Sequence, residues 1–247
     1  TIMLMCASKK GISAHQIHRM VDIEYRSAWY MCHRIRQAMA EKTLMPLAGI
    51  VEADATFVGG KPRGRIVSTI TVEEEVAAGI RHPDGSKKPG PRKGQPHPRS
   101  RKAPVFGMVE RGGSVRTMVL AGKDESASEV RPILLANLAP NVHLITDMGG
   151  AYRAIKRYVR HDAVNHDVEY VSADNPLVHT QTIESHWALL KRGMIGTFHH
   201  VNRGYLPMYL SEFEYRWNQR QVSDSERFAA LLTRVEGRLA WRSKRLA

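Results

Sequence analysis

Asp54 sits in the middle of a run, Ile50 to Val58, whose side chains alternate. Val51, Ala53, Ala55 and Phe57 point one way, and Glu52, Asp54 and Thr56 the other. Aspartate is disfavoured mid-strand, so this one is paired, metal-bound or on a solvated face. Asp147 follows a short apolar run, Asn141 to Thr146, and precedes Met148, Gly149 and Gly150. The carboxyl end of a strand is where α/β folds keep their sites, although an N-cap for a following helix is the plainer use of such an acid. Glu184 lies in HTQTIESHWALLKRG, His179 to Gly193, where Ile183, Trp187 and Leu190 form one apolar stripe. Lys191, seven residues on, shares its face at about 100° per residue. They are solvated helix charges unless Glu184 has acidic partners elsewhere. Two or three carboxylates meeting on one scaffold would hold a pair of Mg²⁺ ions, with Mn²⁺ able to substitute, because hard oxygen donors suit such cations. With ions ~3.5–4 Å apart, one activates the attacking oxygen and the other stabilises the leaving oxygen of a phosphoryl displacement.

The elements around these acids predict how they would meet. Ala103 to Glu110 and Ser114 to Ala121 read as two strands joined by a hairpin at Arg111, Gly112 and Gly113, giving three consecutive antiparallel strands with the Asp54 strand. Asp124 to Leu138 reads as a helix with Pro132 in its first turns, Ala151 to Tyr158 as another, and Ala163 to His166 as a further short strand. Gly193 stands where a helix end wants a left-handed residue. Arg203 to Arg220 is a helix whose Glu212, Arg216 and Arg220 form a surface ion-pair row or, less plainly, a phosphate clamp. Ser223 and Glu226 make a capping box for a last amphipathic helix. This order predicts an α/β chain with an RNase H-like catalytic core: a mixed sheet of three antiparallel strands then parallel strands with helices, an N-terminal helix-turn-helix and C-terminal helices. The expected boundaries are 1–45 for the DNA-binding segment, 46–200 for the catalytic domain with a basic insertion at about 73–102, and 201–247 for the helical extension.

Charge points to the partner. The 247 residues hold 37 Lys and Arg against 24 Asp and Glu, a formal net charge of +13, which favours a polyanion. Residues 9 to 40 read as two helices with a tight connection, Ser13 capping the first. Ile17 and Met20 face Ala28, Met31, Ile35 and Met39 of the second. In a helix-turn-helix, Arg26, Ser27 and Tyr30 would contact DNA, amid exposed Lys9, Lys10, Arg19, Arg34 and Arg36; the plainer reading is a helical hairpin that only packs. From Arg81 to Lys102 the chain carries five Pro, three Gly and eight Lys or Arg against one Asp. Such a segment is either a loop that lies along a phosphate backbone through Lys87, Lys88, Arg92 and Lys93, or a tolerated insertion. Cys6 and Cys32 are too few for a disulfide framework and read as small buried residues. His161, His166, His179, His186, His199 and His200 crowd together without the spacing of zinc ligands, so no zinc site is expected. No run approaches the ~20 apolar residues of a membrane span, and no signal peptide opens the chain, so the expected location is the cytoplasm, at the nucleoid.

VEADATFVGGK, LITDMGGAY, VNHDVEYV and above all HTQTIESHWALLKRG resemble the ISXO-like bacterial insertion-sequence DDE transposases, relatives of the Merlin elements, over about residues 5 to 220. The resemblance implies Asp54, Asp147 and Glu184 as catalytic, metal-binding acids and Lys191, with Arg192, as phosphate contacts. It implies metal-dependent cleavage at the ends of an element and transfer of the exposed 3′-OH groups to target DNA, by a dimer or larger homo-oligomer. Gln181 stands where relatives often have Asn, which leaves both Gln181 and Glu184 as candidates to face the metal. Many relatives carry a zinc ribbon before the helix-turn-helix, and these residues hold none. A structure-selective DNA nuclease on the same fold and a catalytically silent DNA-binding protein derived from a transposase are the alternatives.

Overall fold

The alternating run around Asp54 forms β1 (Ile50–Val58), the middle strand of a five-stranded sheet. The computed structural model describes residues 1–41, 43, 45–59, 83–84, 102–122, 125–165, 171 and 175–235. The chain divides into two compact units, Thr1–Gly59 with Ala103–Ala247, and Gly60–Lys102. Of the second, only Pro83, Asp84 and Lys102 are described, so Lys87, Lys88, Arg92 and Lys93 of the basic loop lie outside the described residues.

Strands β2 (Ala103–Glu110) and β3 (Val115–Val119) pair antiparallel through the predicted turn, and β1 pairs antiparallel with β2. On its other side β1 runs parallel to β4 (His143–Asp147), which runs parallel to β5 (Arg160–Val164). The order is β3-β2-β1-β4-β5, a mixed α/β arrangement that fits the RNase H-like expectation. Strand alternation sends Val51 and Ala53 to one face, where they pack with Phe106, Leu144 and Leu134 of α4 (Ala127–Asn137). The other face is covered by α5 (Gln181–Gly193) and α6 (Leu206–Asn218), whose Ile183, Trp187 and Phe213 share a cluster with Val58 and Val105. The polar side of β1 therefore faces protein rather than water.

Before the sheet stand α1 (Ile2–Ala7), which the sequence does not announce, α2 (Ala14–Val21) and α3 (Tyr25–Met39). Ser13 caps α2 as expected, accepting from the Gln16 amide at 3.1 Å. Ile17, Ala28, Cys32 and Ile35 are buried together with Met5, and with Tyr215 and Leu231 from α6 and α7 (Asp224–Leu232). Both cysteines are free and buried, as their scarcity suggests, and burial raises both thiols. Ser223 and Glu226 form the expected capping box of α7. Among the described residues no helix is long and apolar enough to cross a membrane.

Several expectations are corrected. Ala151 to Tyr158 is not one helix but two 3₁₀ turns, Gly150–Tyr152 and Ile155–Arg157, because a short link between adjacent parallel strands must also bury Tyr152 and Ile155 against the sheet. The fifth strand runs from Arg160 to Val164, earlier than read, and His166 lies outside the described residues. Met20 is 56% exposed instead of facing α3, since Ile17 alone supplies the buried contact. Gly193 is right-handed, φ −68°, and the chain continues into a π turn, Met194–Phe198. Its bare Cα instead lets the Phe213 ring approach: a Cβ there would lie 2.4 Å from Phe213 Cζ. Glu212 and Arg216 are not a surface row, and Arg36 is not exposed. Glu212 is fully buried and paired with Arg36 of α3 at 2.7 Å and with Arg216 one turn away, because two helices from opposite ends of the chain press these charges together.

Candidate active site

The parallel register of β1 and β4 runs from Ile50 beside His143 to Ala53 beside Thr146. One step further sets Asp54 next to Asp147, at the carboxyl end of β4 and, by alternation, on the face covered by α5. Asp147 is half-buried and held in a tight turn, its Oδ1 accepting the Gly149 amide at 2.9 Å. Trp187, on the buried stripe of α5, donates its indole N–H to Asp54 Oδ2 at 2.9 Å. Room for that ring comes from Gly107, the residue opposite Asp54 on β2: a Cβ at Gly107 would stand 2.5 Å from the Trp187 ring. Burial, then the negative charges of Asp147 and Glu184, push Asp54 up to about 6, against lowering by the Ala55 amide and the Trp187 indole. The three acids predicted from sequence thus share one electrostatic neighbourhood.

Glu184 lies half-buried in the first turn of α5, its Oε1 accepting the Thr180 hydroxyl at 3.0 Å, whereas Gln181 is exposed. Lys191 and Arg192 are exposed in the last turn. Arg26 and Ser27 are exposed and Tyr30 half-buried on the first turns of α3. There, with Tyr25 and Trp29, they line an open concavity of about 650 Å³. Among the described residues no three His, Cys, Asp or Glu side chains are gathered as a ready metal cage. The chemistry of the acids nonetheless suits a hard divalent cation: Asp54 is held up by burial first and by its acidic neighbours next, and a cation between the acids would relieve that repulsion.

Two acids near this site were not singled out from sequence. Glu125, in the turn before α4, is pushed up to about 7 by burial and by the charges of Asp147 and Asp54, against the nearby Tyr152 hydroxyl. Its Oε1 and the Tyr152 hydroxyl are both buried without completing a hydrogen bond of good geometry. The other is Glu52, fully buried on the same face of β1 as Asp54. Its Oε2 accepts the amides of Thr182 at 2.7 Å and Ile183 at 3.0 Å, and its Oε1 accepts the Thr182 hydroxyl at 2.8 Å and Arg111 Nε at 2.6 Å. Arg111 also donates to the carbonyls of Leu177 and His179, both at 2.8 Å. The signal for Glu52 was present as an acid on a strand flanked by apolar residues, but its partners lie 59 to 131 residues away.

A family model described as the ISXO2-like transposase domain matches residues 46–218. The chain belongs to that family. The match spans Asp54, Asp147, Glu184 and Lys191, and begins after the N-terminal helices of this ISXO2-like chain. No curated protein matches it. Two chains of solved structures do, one from a cryo-EM structure of the simian T-cell lymphotropic virus intasome in complex with the PP2A regulatory subunit B56 gamma. That chain is 13% identical with a TM-score of 0.35, over 80% of this chain and 67% of its own, a loose likeness. His186 is a core residue of this transposase domain: it is fully buried between Trp187 and Trp217, and burial lowers it to about 3.

Proposed function

We propose that this ISXO2-like chain is a DNA transposase that cuts at insertion-sequence ends and transfers the exposed 3′ ends to target DNA. The observation that carries the reading is the placement of Asp54 beside Asp147, with the Glu184 charge felt at Asp54. Asp54, Asp147 and Glu184 would hold the Mg²⁺ or Mn²⁺ ions. When bound, such ions supply charge stabilisation for the attacking and leaving oxygens of phosphoryl transfer. Glu184 suits the third position better than Gln181, because it is half-buried on the side of α5 that influences Asp54, while Gln181 is exposed. Trp187 keeps Oδ2 of Asp54 engaged and so fixes how the carboxylate is oriented.

In this reading Lys191 and Arg192 hold the phosphate backbone near the acids. Residues 1–45 act as a helix-turn-helix that meets DNA through Arg26, Ser27 and Tyr30, and the basic loop with Lys87, Lys88, Arg92 and Lys93 tracks further phosphates. Joining two ends to one target calls for at least two copies of the chain. The test is incubation of the full chain with duplex DNA carrying the element ends and Mg²⁺, with products separated as nicked and as joined strands. Joined products that vanish in Asp147→Asn support the reading. Nicks without joining point to a structure-selective nuclease. DNA binding without cleavage points to a silent DNA-binding protein.

A further inference from the structure

The backbone amides of a helix's first turn need partners, and α5 supplies only one of them locally: the Gln181 amide donates to His179 Nδ1 at 3.4 Å. Thr180, at its N-cap, makes no side-chain cap, and its hydroxyl is turned to Glu184. The amides of Thr182 and Ile183 are taken instead by Glu52, a side chain from β1. A buried carboxylate is costly unless paired and fully hydrogen-bonded. Here Arg111, the Thr182 hydroxyl and the positive end of the helix meet that requirement.

The anchor also has a matching spacing. From Glu52 to Asp54 the strand rises ~6.6 Å. From the amides at 182 and 183 to Trp187 the helix rises ~6–7.5 Å. The two attachments, Glu52 to the helix start and Trp187 to Asp54, are therefore commensurate, and Glu184 falls between them.

We propose that Glu52 is a positioning residue of the active site: by capping α5 from the strand that carries Asp54, it sets where Glu184 stands relative to Asp54 and Asp147. This rests on the reading of those three residues as the catalytic acids. Arg111 completes the device by tying the segment before α5, through the Leu177 and His179 carbonyls, to the same carboxylate. Glu52 itself touches neither DNA nor metal in this assignment.

The test is Glu52→Gln in the full chain. It is read by single-turnover cleavage of end DNA, by KM for that DNA, by the thermal transition, and by amide hydrogen exchange at Thr182 and Ile183. A positioning role predicts a folded variant whose cleavage rate falls about 10–100-fold with KM unchanged, and faster exchange at both amides. Arg111→Lys, which retains the charge but loses the fork, is the second variant and gives a smaller fall in rate; it decides the matter if Glu52→Gln does not fold. An unchanged cleavage rate in a folded variant overturns the proposal, as does a loss confined to KM. If the unaltered chain cleaves no DNA, the catalytic reading fails. Faster exchange at Thr182 and Ile183 in Glu52→Gln would then still support the anchoring, and unchanged exchange would overturn that as well.

Discussion

At the scale of single residues, the chemistry turns on Asp54. Its carboxyl is raised from an ordinary value of 3.8 to about 6, by burial first and by Asp147 next. A carboxyl raised in the folded state favours folding while protonated, so that contribution is complete below its unfolded value and is lost as pH rises through about 6. A divalent cation would offset the loss above that point. We therefore expect Mg²⁺ to raise the melting temperature at about pH 7.5 and scarcely at about pH 5, with proton release on binding near pH 6 seen by calorimetry in buffers of different ionisation enthalpy. Asp54→Asn should remove that dependence and lower cleavage about a thousandfold or more. Lys191→Ala, on the exposed end of α5, should leave the fold intact and weaken DNA binding across all sequences. The slope of binding against salt should fall by about one, measured by titration over a range of salt concentrations.

At the scale of elements, two glycines decide how closely helices can approach. Gly107 admits the Trp187 ring beside Asp54, and Gly193 admits the Phe213 ring and the Lys10 carbonyl. An added methyl at either site overpacks a filled space, so Gly107→Ala and Gly193→Ala should each cost about 1–3 kcal/mol in urea denaturation. They should differ in activity. Gly107→Ala displaces the ring that bonds Asp54 and should slow cleavage, whereas Gly193→Ala strains the far end of α5 and should alter stability more than rate. Cleavage measured well below the melting temperature of each variant separates the two effects.

At the scale of the whole molecule, the N-terminal helices and the C-terminal helices are joined through a buried charge cluster. Glu212 is fully buried between Arg36 and Arg216, and Arg36 also lies 3.9 Å from the centroid of the Tyr209 ring. Burial alone would raise the Glu212 carboxyl, but Arg216 and Arg36 hold it below its ordinary value. A depressed carboxyl stabilises the fold above its unfolded value, and that stability is lost as acid titrates it. Glu212→Ala should cost about 3–5 kcal/mol, because it leaves two arginines buried beside an empty position. Denaturant unfolding of the full chain checks this, and the stability lost should shrink as pH falls below the ordinary carboxylate range.

The sequence alone determined the order and kind of the main elements. Alternation at Val51 to Val58 marked a strand, the apolar stripe of Ile183, Trp187 and Leu190 marked a helix, and Ser223 with Glu226 marked a cap, since each signal lies within a few residues of its cause. It also brought Asp54 and Asp147 forward, because a carboxylate on an apolar strand or at a strand end is locally out of place, whereas Glu184, an ordinary helix glutamate by local pattern, came forward only through its acidic partners and the motif around it. Tertiary structure decided what local pattern could not: that Gly193 serves close packing and not a helix stop, that Arg36 and Glu212 are core rather than surface, and that Glu52 caps a helix 130 residues away. Those outcomes depend on which faces meet, and a side chain's partner across a sheet or between helices leaves no periodic trace in the chain that carries it.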